Sequence, residues 1–129
     1  MATISARKIT ESSIAESTST AATGGDSFIN SGLEFVKISN NHGSLSYTIT
    51  FTPPSAGVIN SPRYGKVTKA AVEVVVAAAT EAYVGPFKQE IWNDTDNKIS
   101  MTYKKDSDNS AIASSGHGLS VEVLYLDFK

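Results

Sequence analysis

The chain has no cysteine, two histidines, one tryptophan and only four prolines in 129 residues. Without cysteine there is no disulfide staple and no thiolate to hold a metal or attack a substrate, so stability has to come from packing. Long apolar runs are missing as well. No stretch approaches the roughly 18 apolar residues of a membrane span, and the N-terminal MATISARKIT lacks the apolar core of a signal peptide. A membrane partner is therefore not expected, and the chain should be made in the cytoplasm. Concentrated positive charge is the third lack. Lys and Arg total 11 against 13 Asp and Glu, for a net charge of -2 and a pI near 5.6. The basic residues are scattered, with no cluster larger than a pair such as Lys104-Lys105. A phosphate backbone needs a concentrated basic face, so no nucleic-acid partner is expected either.

What is present divides into two parts. Residues 1-25 are rich in Ser, Thr and Ala, with Ile4, Ile9 and Ile14 at a spacing of five that fits neither a helix face nor a strand face. Ordering about 20 residues costs at least about 20 kcal/mol of backbone entropy. Three isoleucines at about 2 to 3 kcal/mol each cannot offset that from within the segment. The expectation is an N-terminal arm, 1-25, that is extended or disordered when free and ordered by a partner surface, with Ile4, Ile9 and Ile14 as its anchors.

Residues 26-129 read as one domain of short strands. Leu45, Tyr47, Ile49 and Phe51 alternate with Ser46, Thr48, Thr50 and Thr52, and Pro53-Pro54 ends the run. Further strands are expected over Leu33 to Ile38, over Ile99 to Tyr103 after the turn Asn93 to Asn97, and over Leu119 to Phe128. The last is apolar on both faces towards its end and should be doubly buried there. Residues 55-65 read as a loop. The alanines in Lys66 to Ala82 would suit a helix, but the β-branched Val72 and Val74 to Val76 favour a strand, with Ala77 to Ala82 as a connection. A short edge or bulged strand is expected over Tyr83 to Phe87, because Pro86 has no N-H for a central ladder. Turns every 8 to 12 residues indicate an antiparallel β-sandwich, jelly-roll-like or immunoglobulin-like, and not a βαβ fold.

The search for chemistry finds no reactive set. His42 and His117 are the only imidazoles, both in Gly-containing turns, and read as solvent-exposed turn residues without catalytic or metal partners. Asp94-Thr95-Asp96-Asn97-Lys98 begins like a calcium loop but puts Lys98 where an oxygen ligand is needed, so a polar hairpin turn is expected. No cofactor or metal is called for. Among aromatics near turns, Tyr64, Tyr83, Phe87 and Trp92 could form a recognition surface. Core packing is the preferred role for Trp92 and Phe87; Tyr64 stays open between the two.

The succession Gly24 to Asn40 (GGDSFINSGLEFVKISN), a β-rich middle, Val84-Gly85-Pro86-Phe87, Ile91-Trp92-Asn93-Asp94, a strand ending in Tyr103 and a closing apolar strand resembles small structural proteins of tailed bacteriophages, the capsid decoration or cement proteins with a β-sandwich fold. The resemblance covers most of Gly24 to Phe128. It implies a non-enzymatic virion protein on the outer capsid surface, binding the major capsid protein and itself as a dimer or trimer. A different class of function, a carbohydrate- or receptor-binding module of a fibre or tail, would use Tyr64 and Trp92 as a stacking surface.

Overall fold

The alternation of Tyr47, Ile49 and Phe51 with threonines sets the pattern for the molecule, because all three apolar side chains are essentially excluded from solvent. The chain is seen in a computed structural model that describes residues 2-9, 18-54, 58-61, 65-68, 71-113 and 115-126. Its strands are β1 (Ala2–Ile4), β2 (Arg7–Ile9), β3 (Ser19–Thr20), β4 (Asp26–Ile29), β5 (Glu34–Asn40), β6 (Tyr47–Thr52), β7 (Val58–Ser61), β8 (Gly65–Thr68), β9 (Val72–Val76), β10 (Thr80–Val84), β11 (Lys98–Lys105) and β12 (Leu119–Leu126). A single helical turn, α1 (Gln89–Trp92), precedes β11.

The strands form two packed sheets, an all-β sandwich. Sheet A has the order β1-β4-β11-β6-β9, and sheet B the order β10-β5-β12-β2 with β3 also beside β12. Successive strands β4, β5 and β6, and again β9, β10, β11 and β12, pass back and forth between the sheets. The inner faces meet in one core built around Phe28, Phe51, Val36, Ile38, Met101 and Val121. Within the body every pairing is antiparallel, as the turn spacing predicts. The two sheets are nonetheless mixed, since β1 runs parallel to β4 and β2 runs parallel to β12.

Those two parallel pairs correct the expectation for the arm. Its described residues lie on the sandwich itself: β1 caps the β4 edge of sheet A, and β2 and β3 cover the outer side of β12 in sheet B. Ile4 is 8 % exposed and belongs to the core, as does Ala21, whose N-H donates to the Leu119 carbonyl at 3.1 Å. The entropy argument counted only the isoleucines and omitted the backbone hydrogen bonds that an open sheet edge offers. Ile14 lies outside the described residues.

Other boundaries also moved. The loop expected over 55-65 contains the strand β7, which pairs with β8 from Gly65 onward. Four-residue strands in a sequence punctuated by proline and glycine give little alternation to read. The strand expected over Tyr83 to Phe87 begins earlier, at Thr80, because the turn after β9 needs only Ala77 to Ala79, with Ala79 at φ 58° and the Thr80 hydroxyl donating to the Ala77 carbonyl at 2.7 Å. Pro86 follows β10 instead of lying within it, and Gly85 is required there. Its φ is +123°, and a Cβ would sit 3.0 Å from the Phe35 Cα. The strand β12 is buried on both faces from Val121 to Leu124, but Leu126 is 39 % exposed, so the burial lies in its middle and not at its end.

Two asparagines tie the ends of β5 to the rest. Asn40 donates from Nδ2 to the carbonyls of Leu45, Val76 and Ala77 at 2.8 to 3.2 Å and accepts the His42 N-H at 3.0 Å. Asn30, just before β5, donates to the Phe87 carbonyl at 3.0 Å and to Asn93 Oδ1 at 2.7 Å. Asn40 thereby satisfies three backbone carbonyls, and Asn30 one backbone carbonyl and one side-chain amide oxygen, that burial would otherwise leave unpaired.

Candidate functional site: the outer face of sheet B

Side chains alternate between the faces of a strand, so the buried Val36, Ile38, Val121 and Val123 define the inner face of sheet B and their neighbours the outer one. On β5 the outer residues are Phe35, Lys37 and Ser39; on β12, Ser120, Glu122, Leu124 and Leu126; on β10, Glu81 and Tyr83; on β2, Arg7 and Ile9. Leu33 continues the same face ahead of β5, and extending the Tyr125 to Glu34 register by one residue brings Leu126 beside it.

This placement collects the exposed apolar residues. Of five large hydrophobic side chains exposed among the described residues, Leu33 (47 %), Tyr83 (63 %) and Leu126 (39 %) share this face. Phe35, whose ring lies 6.4 Å from that of Tyr83, Leu124 and Ile9 join them into a band across four strands. Beside it runs a row of alternating charge. Lys37 reaches Glu81 at 3.7 Å, Glu122 stands opposite Lys37 in the ladder, and Arg7 Nη1 donates to Glu122 Oε1 at 3.0 Å. Glu122 is 3 % exposed, so its pairing to Arg7 is what makes its burial tolerable.

The outer face of sheet A differs. Thr48, Thr50, Thr52, Ser100 and Thr102 dominate it, with Thr48 donating to Asp106 Oδ1 at 3.1 Å, and its two exposed apolar residues, Ile29 and Val75, stand apart with two strands between them. A hydroxyl-covered face stays hydrated, whereas the apolar band of sheet B gains by being covered.

The residues expected to act in recognition are scattered. Ile4 is in the core, and Ile9 is half-buried at the rim of the band. Trp92 is 6 % exposed and packs edge-on against Phe87, ring centres 5.3 Å apart, so its ring is unavailable for stacking on a ligand. Tyr64 lies outside the described residues. The band itself was legible only in part, because the period-two pattern gives which residues share a face but not which face is covered.

The histidines part company. His42 is half-buried and accepts the Ser44 and Leu45 N-H groups at Nδ1, a turn residue as read from the sequence. His117 is only 4 % exposed, which overturns its reading as a solvent-exposed turn residue. Its Nδ1 accepts the Leu119 N-H at 2.9 Å, and its carbonyl accepts the Tyr47 hydroxyl at 2.8 Å. The Gly116-His117-Gly118 sequence folds inward because Gly118, at φ +73°, approaches the His42 backbone so closely that a Cβ would lie 2.7 Å from its nitrogen. The Asp94 segment is a turn: Asp94 Oδ1 accepts the N-H groups of Asp96 and Lys98, which commits that oxygen to the backbone.

Two clefts border the arm, the first lined mainly by polar groups and the second by more apolar than polar surface. One, of about 310 Å³, lies where the arm meets Glu122, and another, of about 470 Å³, is lined by Thr18, Thr20, Ser115 and His117 among others. Neither brings a nucleophile, a base and an orienting group together. No group of three metal-ligating side chains converges among the described residues. The Tyr103 hydroxyl donates to Asp26 Oδ2 at 2.6 Å, and burial first, then that contact, pushes the phenol well above its ordinary range. Asp26 also accepts the Ala22 N-H at 3.1 Å, so this pair fixes the arm to the core.

Scans for related proteins found no matching family model, no matching curated protein and no matching solved structure.

Proposed function

We propose that this chain is a non-catalytic virion structural protein, a decoration or cement protein that sits on the outer surface of a capsid and binds the major capsid protein through the outer face of sheet B. The carrying observation is the exposed apolar set Leu33, Tyr83 and Leu126, joined by half-buried Phe35 and backed by buried Leu124, beside a row of alternating charge. Contiguous apolar surface of this kind marks an interaction site, and the charges give it orientation more than affinity. The resemblance of Gly24 to Phe128 to phage decoration proteins supplies the partner.

Magnitude bears on how such a protein would hold on. Four strands about 4.8 Å apart, of 5, 7, 8 and 3 residues at about 3.3 Å each, present a face of about 360 Å². Covering it buries about 700 Å² counting both partners, below the roughly 1,200 Å² at which specific interfaces begin. One copy alone therefore binds weakly, and firm attachment requires linked copies.

The reading is tested by co-sedimenting the protein with purified capsids that lack it. Tyr83→Glu and Leu126→Glu should each lower attachment at least about tenfold, about 1.4 kcal/mol. Thr52→Glu, on the outer face of sheet A, should leave it unchanged. Equal binding by all three overturns the reading. The fibre or tail module would use Tyr64 and Trp92 as a stacking surface; Trp92 is packed in the core, and Tyr64 lies outside the described residues.

A further inference from the structure

We infer that β9 is a dimerisation edge, at which a second copy of this chain pairs its own β9 antiparallel about a two-fold axis at Val74, joining the two A sheets into one. The inference rests on where backbone groups are left open and stands independently of the capsid reading.

The sandwich has four edges. The arm covers two of them, with β1 alongside β4 and β2 and β3 alongside β12. The other two are β9 and β10. The strand β10 carries Glu81, already paired to Lys37, and runs into Gly85-Pro86, the kind of charge and proline that blunts an edge. The strand β9 carries one exposed charge, Glu73, but no proline. It reads Val72-Glu73-Val74-Val75-Val76, it pairs only with β6 among the described residues, and Val75 is 56 % exposed. An exposed β-branched edge strand is a template for another strand.

The sequence of β9 suits a second β9. Antiparallel pairing about Val74 sets Val72 opposite the partner's Val76 and Val74 opposite the partner's Val74. These are the residues on the inner side of sheet A, so the apolar layer continues across the axis. On the outer side Glu73 faces the partner's Val75, which keeps the two carboxylates out of direct opposition. Moving the axis to Glu73 would set them against each other. The contact is isologous and closes at two copies through β9, while β1, β10 and β2 stay at the outer ends of their sheets. It also supplies the linked pair of capsid-facing surfaces that a small single face calls for.

Sedimentation equilibrium of the full chain at high micromolar concentration should give twice the 13.6 kDa chain mass. Val75→Glu places a carboxylate opposite the partner's Glu73 at two symmetric positions and should weaken the dimer about tenfold. Val75→Lys places a cation there and should hold the dimer or tighten it. Adding Glu73→Lys to Val75→Glu should restore it. Far-ultraviolet circular dichroism and thermal unfolding check that each variant folds. A monomeric wild type overturns the inference, including the case in which β9 receives a strand from another protein. Equal loss with Val75→Glu and Val75→Lys also overturns it, because a contact through hydrophobicity alone would not distinguish the two charges. A dimer that fails to bind capsids would refute the proposed function and leave this inference standing.

Discussion

Asn40 shows how much a single polar side chain can decide. It is 1 % exposed, and its amide serves three carbonyls from two separate turns while its carbonyl oxygen holds the His42 N-H. Sequence alone places it at the start of a turn, a common site for asparagine; only the fold brings Val76 and Ala77 to it. Replacing Asn40 by Ala should cost about 3 kcal/mol, since buried carbonyls left unpaired cost about 1 to 3 kcal/mol each. Asn40→Asp should be no milder despite its matching shape, because it sets a carboxylate oxygen against three carbonyls. Urea denaturation of both variants checks this. A loss under about 1 kcal/mol would mean that water replaces the amide. His117 makes the complementary point. Its flanking glycines announced a turn correctly, but the close approach of Gly118 to His42 turns the side chain inward.

At the scale of elements, strands with clean alternation were readable and those without it were not. The strand β9 was placed at Val72 to Val76 because β-branching outweighed the alanines, and β6 was located by its threonines. The hairpin β7 and β8 escaped notice because four-residue strands set among Pro and Gly give too short a pattern to separate from loop. The arm escaped for a different reason: its stability comes from edges built by residues far away in sequence. This changes the expected result of truncation. Deleting residues 2-9 removes the buried Ile4 and the Arg7 partner of Glu122, and uncovers two sheet edges. Losing Ile4 burial alone is worth about 2 to 3 kcal/mol. The truncated chain should therefore melt at a clearly lower temperature in differential scanning calorimetry, whereas an arm that is only a tail would leave the melting temperature unchanged.

Across the whole molecule, buried phenols set a limit on the alkaline side. Burial raises both Tyr47 and Tyr103, and the contact with Asp26 adds to the rise at Tyr103. A raised folded value means that the unfolded chain loses the proton first. The stabilisation is therefore complete below the ordinary tyrosine range near 10 and falls as pH climbs beyond it. Each such group should reduce unfolding free energy by up to about 1.4 kcal/mol per pH unit above about pH 10. Denaturant titrations between pH 9 and about 11.5 should show that decline, shallower by one proton in Tyr103→Phe. An unchanged slope in that variant would mean that Tyr103 ionises freely in the folded state.

The sequence by itself determined the all-β class, the threonine face of β6 and the places of the main central strands, because these follow from residue type and a period of two. Tertiary structure decided the rest. Which edges the arm covers, which histidine is buried, whether Trp92 faces ligand or core, and the assembly of Leu33, Phe35, Tyr83, Leu124 and Leu126 into one band all depend on strands distant in the chain becoming neighbours. Periodicity records only that a strand has two faces; what lies against each face is a property of the packed sheets.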